Sequence, residues 1–152
     1  MRRKEKEITE RSAIEAVIFK STVCRLGLSG GKFPYVVPMC FGYKDSNLYL
    51  HGALKGRKID TIKENPNVCV EFESHAEIVK AEIPCNWGMK YQSVISFGKA
   101  ELLQSLDEKR KALNVIMRQY YDRTFVFEDA YLTATAVIRI EVQYMTGRQS
   151  GF

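Results

Sequence analysis

The 152-residue chain has four cysteines but no CxxC pair, a single tryptophan, only two histidines, and no apolar run near the ~20 residues of a membrane span. Cys24, Cys40, Cys69 and Cys85 are scattered, three of them inside apolar runs. That spacing argues against a four-cysteine zinc site and favours buried free thiols. No Walker A or GxGxxG spacing is present, which excludes the commonest nucleotide-binding fingerprints. Helix-turn-helix, zinc-finger and RNP signatures are also missing. The net charge of +5 is spread through the chain and interleaved with acids, apart from "MRRKEK" and "KGRK". No nucleic-acid partner is therefore expected, and no membrane. The opening "MRRKEKEITERS" lacks the apolar stretch of a secretory signal, so the expected location is cytoplasmic, where disulfides are not expected.

What is present suits one globular domain spanning residues 1–152, with a hydrophobic fraction of 45% and a charged fraction of 27%. "TERSAIEAVIFKS" predicts a short amphipathic helix with Ile14, Val17 and Ile18 at helical spacing and Thr9 or Ser12 as its cap. "TVCRLGLS" and "FPYVVPMCFGYK" predict a hairpin around the turn "SGGK", with "NLYLHGA" antiparallel to its second strand. "GRKIDTIKEN" predicts a helix that stops before Pro66. In "NVCVEFES", Val68, Val70 and Phe72 face one way and Cys69, Glu71 and Glu73 the other. "HAEIVKAEIPCNWGM" has no clear period and reads mainly as a loop, with a short strand around Ile78. "KYQSVISFGKAELL" predicts a long strand. "LDEKRKALNVIMRQYYD" is the clearest helix, with Leu113, Ile116, Met117 and Tyr120 on one face and Ser105 or Asp107 at its start. "TATAVIRIEVQYMTGR" is the last strand. Six antiparallel strands, four of them a meander, with helices outside predict a mainly β fold, a small closed or split barrel.

The stretch "LHGALKGRKIDTIKENP" places His51, Lys55, Arg57 and Lys58 around Gly52 and Gly56 where a strand gives way to a helix. Free N–H groups and the positive end of the macrodipole stabilise a phosphate at a helix start. Arg57 can fork onto two oxygens, Lys58 adds a compact charge, and Gly56 lets the backbone come close. Cations in the first turn oppose the dipole unless an anion is bound. Taken alone, the same residues also fit a solvated basic turn.

In context, "GGKFPYVVPMCFGY", "YLHGALKGRKIDTIKENPNVCVEFE" and "PCNWGMKYQSVISFGKAELL" resemble the pyridoxamine 5'-phosphate oxidase-like flavin-binding split barrels, in particular the branch containing the Nim 5-nitroimidazole-resistance proteins. The similarity runs from about Ile8 to Arg148. It implies a homodimer with FMN at the subunit interface. It places the FMN phosphate on Arg57 and Lys58 with Lys55 nearby, and Val37, Pro38 and Met39 against the isoalloxazine through main-chain and apolar contact. His51 falls beside the flavin, where it is the candidate catalytic residue, and Ser93 and Gln92 fall at positions that reach the cofactor. Trp87, Lys90 and Tyr91 form the candidate substrate pocket, with a packing role as the alternative for Trp87. His75 reads as a surface residue and not a metal ligand, and no metal is implied.

The resemblance further implies an FMN-dependent oxidoreductase passing electrons from NAD(P)H or another reductant to a small nitro-aromatic or quinone-like molecule. A flavin-binding protein without efficient turnover, and the same cleft holding haem or deazaflavin, are the alternatives. The chain ends at "MTGRQSGF", without the Trp and Arg segment that holds pyridoxal phosphate in true pyridoxamine phosphate oxidases. Vitamin B6 oxidation is therefore not expected.

Overall fold

A computed structural model describes residues 4–152 of the protein, and residues 1–3 lie outside the described part. The chain opens with β1 (Glu7–Ile8) and α1 (Arg11–Lys20), followed by β2 (Cys24–Leu28), β3 (Tyr35–Met39), β4 (Gly42–Lys44) and β5 (Asn47–Ala53). Next come α2 (Arg57–Glu64), the long strands β6 (Asn67–Val79) and β7 (Gly88–Leu102), α3 (Leu106–Tyr120), α4 (Asp129–Thr133) and β8 (Thr135–Ser150). All the strands join one antiparallel sheet, in the order β3-β2-β6-β7-β8-β5-β4, with β1 on β8.

The class is the expected one, mainly antiparallel sheet with flanking helices, and the sheet is not closed. Its edge strands β3 and β4 are consecutive in the chain and separated only by Cys40 and Phe41. So short a link forces the two edges of the curled sheet to meet at one corner, and the opening between them is the split of the barrel. The Tyr120 hydroxyl accepts from the Phe41 N–H at 3.0 Å and donates to the Thr22 carbonyl at 3.1 Å, which pins this corner.

Among the described residues eight strands replace the expected six. "FPYVVPMCFGYK" breaks in two at the corner, and the two-residue β1 is too short for any period to reveal. The meander is also corrected: β5 pairs with β8, and β6 pairs with β2 and β7. "HAEIVKAEIPCNWGM" is mostly strand, since Ala76–Val79 pairs with Gly88–Tyr91. A bulge at His75, whose φ is 70°, shifts the phase of the alternation and hid the period. Neither Thr9 nor Ser12 caps α1. Its N-cap is Glu10, without a side-chain bond, whereas Ser105 does cap α3 by accepting from the Glu108 N–H.

Period two sorts the side chains onto two faces. Leu26, Leu50, Phe72, Val94 and Ile138 fill the inner face, closed at one end by Ile14, Val17 and Ile18 of α1. On the outer face α3 and α4 cover β5 and the start of β8 around Leu113, Ile116, Leu132 and Val137. Gly42 permits this packing, because a Cβ there would lie 2.5 Å from the backbone of Val115 and Ile116. The buried Lys109 ammonium donates to the carbonyls of Leu132 and Thr135, both at 2.9 Å, tying α3 to the α4–β8 junction.

Among the described residues no helix covers the outer face of β3, β2, β6 and β7. One cross-strand row there runs Val36, Gly27, Cys69, Phe97, Tyr144. Val36 is 63% and Tyr144 57% exposed. A shallow cavity of about 450 Å³ lies along this row. All four cysteines are free thiols, but only Cys24 is buried, while Cys40 and Cys85 are exposed, which corrects the expectation of burial for those two.

Candidate functional site

Sequence and backbone together explain the turn between β5 and α2. Gly56 is the N-cap of α2 with φ 125° and ψ 171°, a conformation that side chains with a Cβ rarely adopt, and no atom lies within 4 Å of the place a Cβ would take. No side chain caps the helix. The Asp60 N–H donates to the Gly56 carbonyl at 3.1 Å, so the N–H groups of Arg57, Lys58 and Ile59 precede the intrahelical ladder and face the open side of the turn. A backbone of this shape is a concave cluster of donors at the positive end of a helix.

Lys58 is half-buried and its ammonium has no carboxylate partner among the described residues. It donates instead to the Met39 thioether sulfur at 3.5 Å. It lies over Gly52, where a Cβ would come within 2.7 Å of Nζ. Burial lowers the Lys58 pKa. A thioether is a weak acceptor, so the ammonium retains most of its capacity to bind an anion. Arg57 crosses the opening of the barrel: one guanidinium nitrogen donates to the Phe33 carbonyl at 3.2 Å, and its Cζ sits 4.5 Å from the centroid of the Tyr35 ring. Lys55 is exposed on the rim.

The site therefore spans the split. Met39 and Tyr35 belong to β3, at one end of the strand order, and Gly52 to β5 near the other, yet α2 brings them together. The β2–β3 loop is fixed to α2 as well, since the Asn65 amide donates to the Ser29 carbonyl at 3.0 Å. Tyr35 and Phe33 were missed as site residues by sequence reasoning. Nothing in the residues signals the contact of Arg57 with β3, because it depends on how the open sheet curls.

Other expected site residues are placed less simply. Val37 and Met39 point to the inner face and pack on the core, whereas Pro38 is exposed on the outer face. A flat ligand on one side of β3 thus touches only one of these sets by side chain and the other by main chain. His51 alternates with Gly52, so it projects to the face shared with Tyr49 and Val137. Its pKa is lowered, first by burial and then by the charge of Lys58.

Gln92 and Ser93 lie on β7, three strands from β3. Val94, two residues beyond Gln92, shares a cross-strand row with Met39 through Cys24 and Phe72. Three strand spacings amount to about 14 Å, so one chain does not bring Gln92 or Ser93 against Lys58. Gln92 donates to Gln149 at 3.2 Å. Trp87, Lys90 and Tyr91 belong to the projecting arm of the β6–β7 hairpin. The Trp87 indole N–H donates to the Ala81 carbonyl at 2.8 Å, and Lys90 stands over the Phe152 ring at 4.5 Å. These three do not join the α2 turn within one chain.

Comparison with known proteins agrees with this architecture. The family model described as pyridoxamine 5'-phosphate oxidase matches residues 10–149. A Bacteroides thetaiotaomicron protein, provisionally described as a 5-nitroimidazole antibiotic resistance protein, is 35% identical with a TM-score of 0.84 over 93% of this chain and 84% of its own. The FAD and heme binding protein of Mycobacterium smegmatis is 20% identical with a TM-score of 0.87, over 97% of this chain and 74% of its own. A FAD-binding protein of Mesorhizobium loti is 23% identical with a TM-score of 0.69, over 94% of this chain and 96% of its own. The last two likenesses concern the fold alone. No curated protein sequence matches the chain. Among the described residues no helix is long and apolar enough to cross a membrane.

Proposed function

The chain belongs to the pyridoxamine 5'-phosphate oxidase family, and from that premise we propose that it binds FMN and works as an oxidoreductase on a small electrophile. The observation that carries the proposal is the half-buried Lys58 ammonium, without an acidic partner, beside the uncapped start of α2. A cation in that state favours a bound anion, and the open space over Gly56 admits one. Arg57 supplies a planar fork, Lys58 a point charge, and the first N–H groups of α2 the remaining donors. This set suits the phosphate of FMN.

When bound, FMN supplies hydride transfer between a nicotinamide or other reductant and a nitro-aromatic or quinone-like acceptor. The chain's own residues bind and orient it. Lys58 and Arg57 hold the phosphate, and β3 presents main chain at Val37 and Met39 with Pro38 on its outer face. His51 is held toward its neutral form by burial and by Lys58, so near neutral pH it offers one donor and one acceptor nitrogen to a substrate. That makes it the residue proposed to hold or move a proton.

The active form proposed is a homodimer. The bare outer face with Val36, Phe97 and Tyr144 provides an apolar surface of the kind an obligate partner covers. A second copy also resolves the separation noted above, since Gln92, Ser93 and the arm with Trp87, Lys90 and Tyr91 could then complete the neighbouring copy's site.

The test is the visible absorption spectrum of the purified protein, with the released chromophore identified by mass. FMN at about one per chain supports the reading and makes screening of NADH and NADPH as reductants the next step. A colourless protein that also fails to bind added FMN removes it. FMN that no nicotinamide reduces would favour a carrier or redox sensor over an enzyme.

A further inference from the structure

The site contains an aromatic ring with no assigned role. Tyr35 begins β3 and packs partly on the inner core, and its ring lies 4.5 Å from the Arg57 guanidinium carbon. Building on the FMN reading above, we propose that Tyr35 is a positioning residue of the phosphate site, acting through Arg57.

An exposed arginine at the first position of a helix has several free torsions. Ordering it on a ligand costs side-chain entropy on the order of 2 kcal/mol. Here two contacts restrict it in advance. The Tyr35 ring supplies a cation–π contact that holds the guanidinium against β3, and the Phe33 carbonyl accepts from one terminal nitrogen at 3.2 Å. A guanidinium carries five N–H donors, so the remaining ones stay available to an anion. Both contacts come from the β3 side of the split, which makes the β2–β3 segment part of the anion site. The loop is itself steadied by Asn65 on Ser29, and by Gly30, where a Cβ would lie 2.9 Å from the Thr61 methyl. A lysine at position 57 would keep the charge but lose the planar fork of donors.

The test compares FMN with riboflavin, which has the same ring system but no phosphate. Binding of each to wild type, Tyr35→Phe, Tyr35→Leu and Arg57→Lys is read by quenching of flavin fluorescence, with circular dichroism confirming that each variant is folded. The expected result for Tyr35→Leu is FMN affinity lower by roughly 3- to 10-fold with riboflavin affinity unchanged. Tyr35→Phe should restore the FMN preference, and Arg57→Lys should reduce it. Equal losses for both flavins in Tyr35→Leu, or an intact FMN preference, overturn the role of Tyr35 while leaving the flavin reading in place. A wild-type protein that binds neither flavin overturns the flavin reading, and this role with it.

Discussion

The ammonium of Lys58 rests 3.5 Å from the thioether sulfur of Met39 and lies over Gly52. Two segments, β3 and the β5–α2 turn, thus converge on one cation that has no carboxylate partner among the described residues. Replacing Lys58 by alanine should weaken FMN binding by about 10- to 100-fold, the loss of one charge-assisted hydrogen bond of about 1.5–3 kcal/mol. The melting temperature without ligand should stay level or rise, because a partly desolvated cation is removed. Titration of FMN with parallel thermal melts checks both, and full affinity in the variant would show that the phosphate lies elsewhere.

The cationic turn was legible in the sequence because its elements are local: glycines, basic residues and a strand-to-helix switch within residues 50–58. The register of β6 from Asn67 to Ser74 was legible for the same reason, since Val68, Val70 and Phe72 alternate without a break. Partners across the split were not. Tyr35 is twenty-two residues before Arg57, and only the curl of an open sheet brings them together. The β6–β7 arm was misread because one left-handed residue, His75, inverts the phase midway. His51 was placed in the right turn, but its face depends on the pairing of β5 with β8, which a meander does not contain.

Gly52 and Gly56 should differ in what alanine costs the unliganded fold, although both border the anion site. At Gly56 a methyl group meets nothing within 4 Å, so alanine there suffers only the backbone strain of φ 125°, about 1–3 kcal/mol by urea unfolding. At Gly52 the obstacle is the flexible tip of Lys58, 2.7 Å away. Gly52→Ala should displace that ammonium and cost FMN affinity with little loss of stability. The opposite pattern would contradict the assigned geometry.

His51 predicts a pH dependence of definite sign. Its folded-state pKa is below the ordinary value near ~6.5, so the unfolded chain binds the proton more tightly. Its contribution to stability is complete above that ordinary value and is lost as pH falls through the lowered one. Urea unfolding from about pH 7.5 to about pH 5 should show a decline that is smaller in His51→Gln. Bound inorganic phosphate would neutralise Lys58 without adding a ring that buries His51 further, so phosphate should raise the His51 pKa, as followed by its imidazole NMR shifts. A fall or no change on binding would place the anion away from Lys58.

The bare sheet face predicts assembly. Phe97 and Tyr144 stack with ring centroids 4.7 Å apart at an interplanar angle of 19°, beside the exposed Val36. Val36 and Tyr144 are exposed and Phe97 is half-buried on this outer face, and an apolar row of this kind is poorly suited to water. The surface therefore calls for a covering layer. If that layer is a second copy, Val36→Glu places a charge in each half of a symmetric interface, and two like charges brought out of water oppose association. Light scattering should then give the mass of one chain where the wild type gives two. FMN occupancy should fall with it, since the reading above has Gln92 and Ser93 of one copy completing the site of the other. A wild-type protein that is monomeric with full FMN occupancy would break this link between assembly and site, and would leave the apolar row to a different partner.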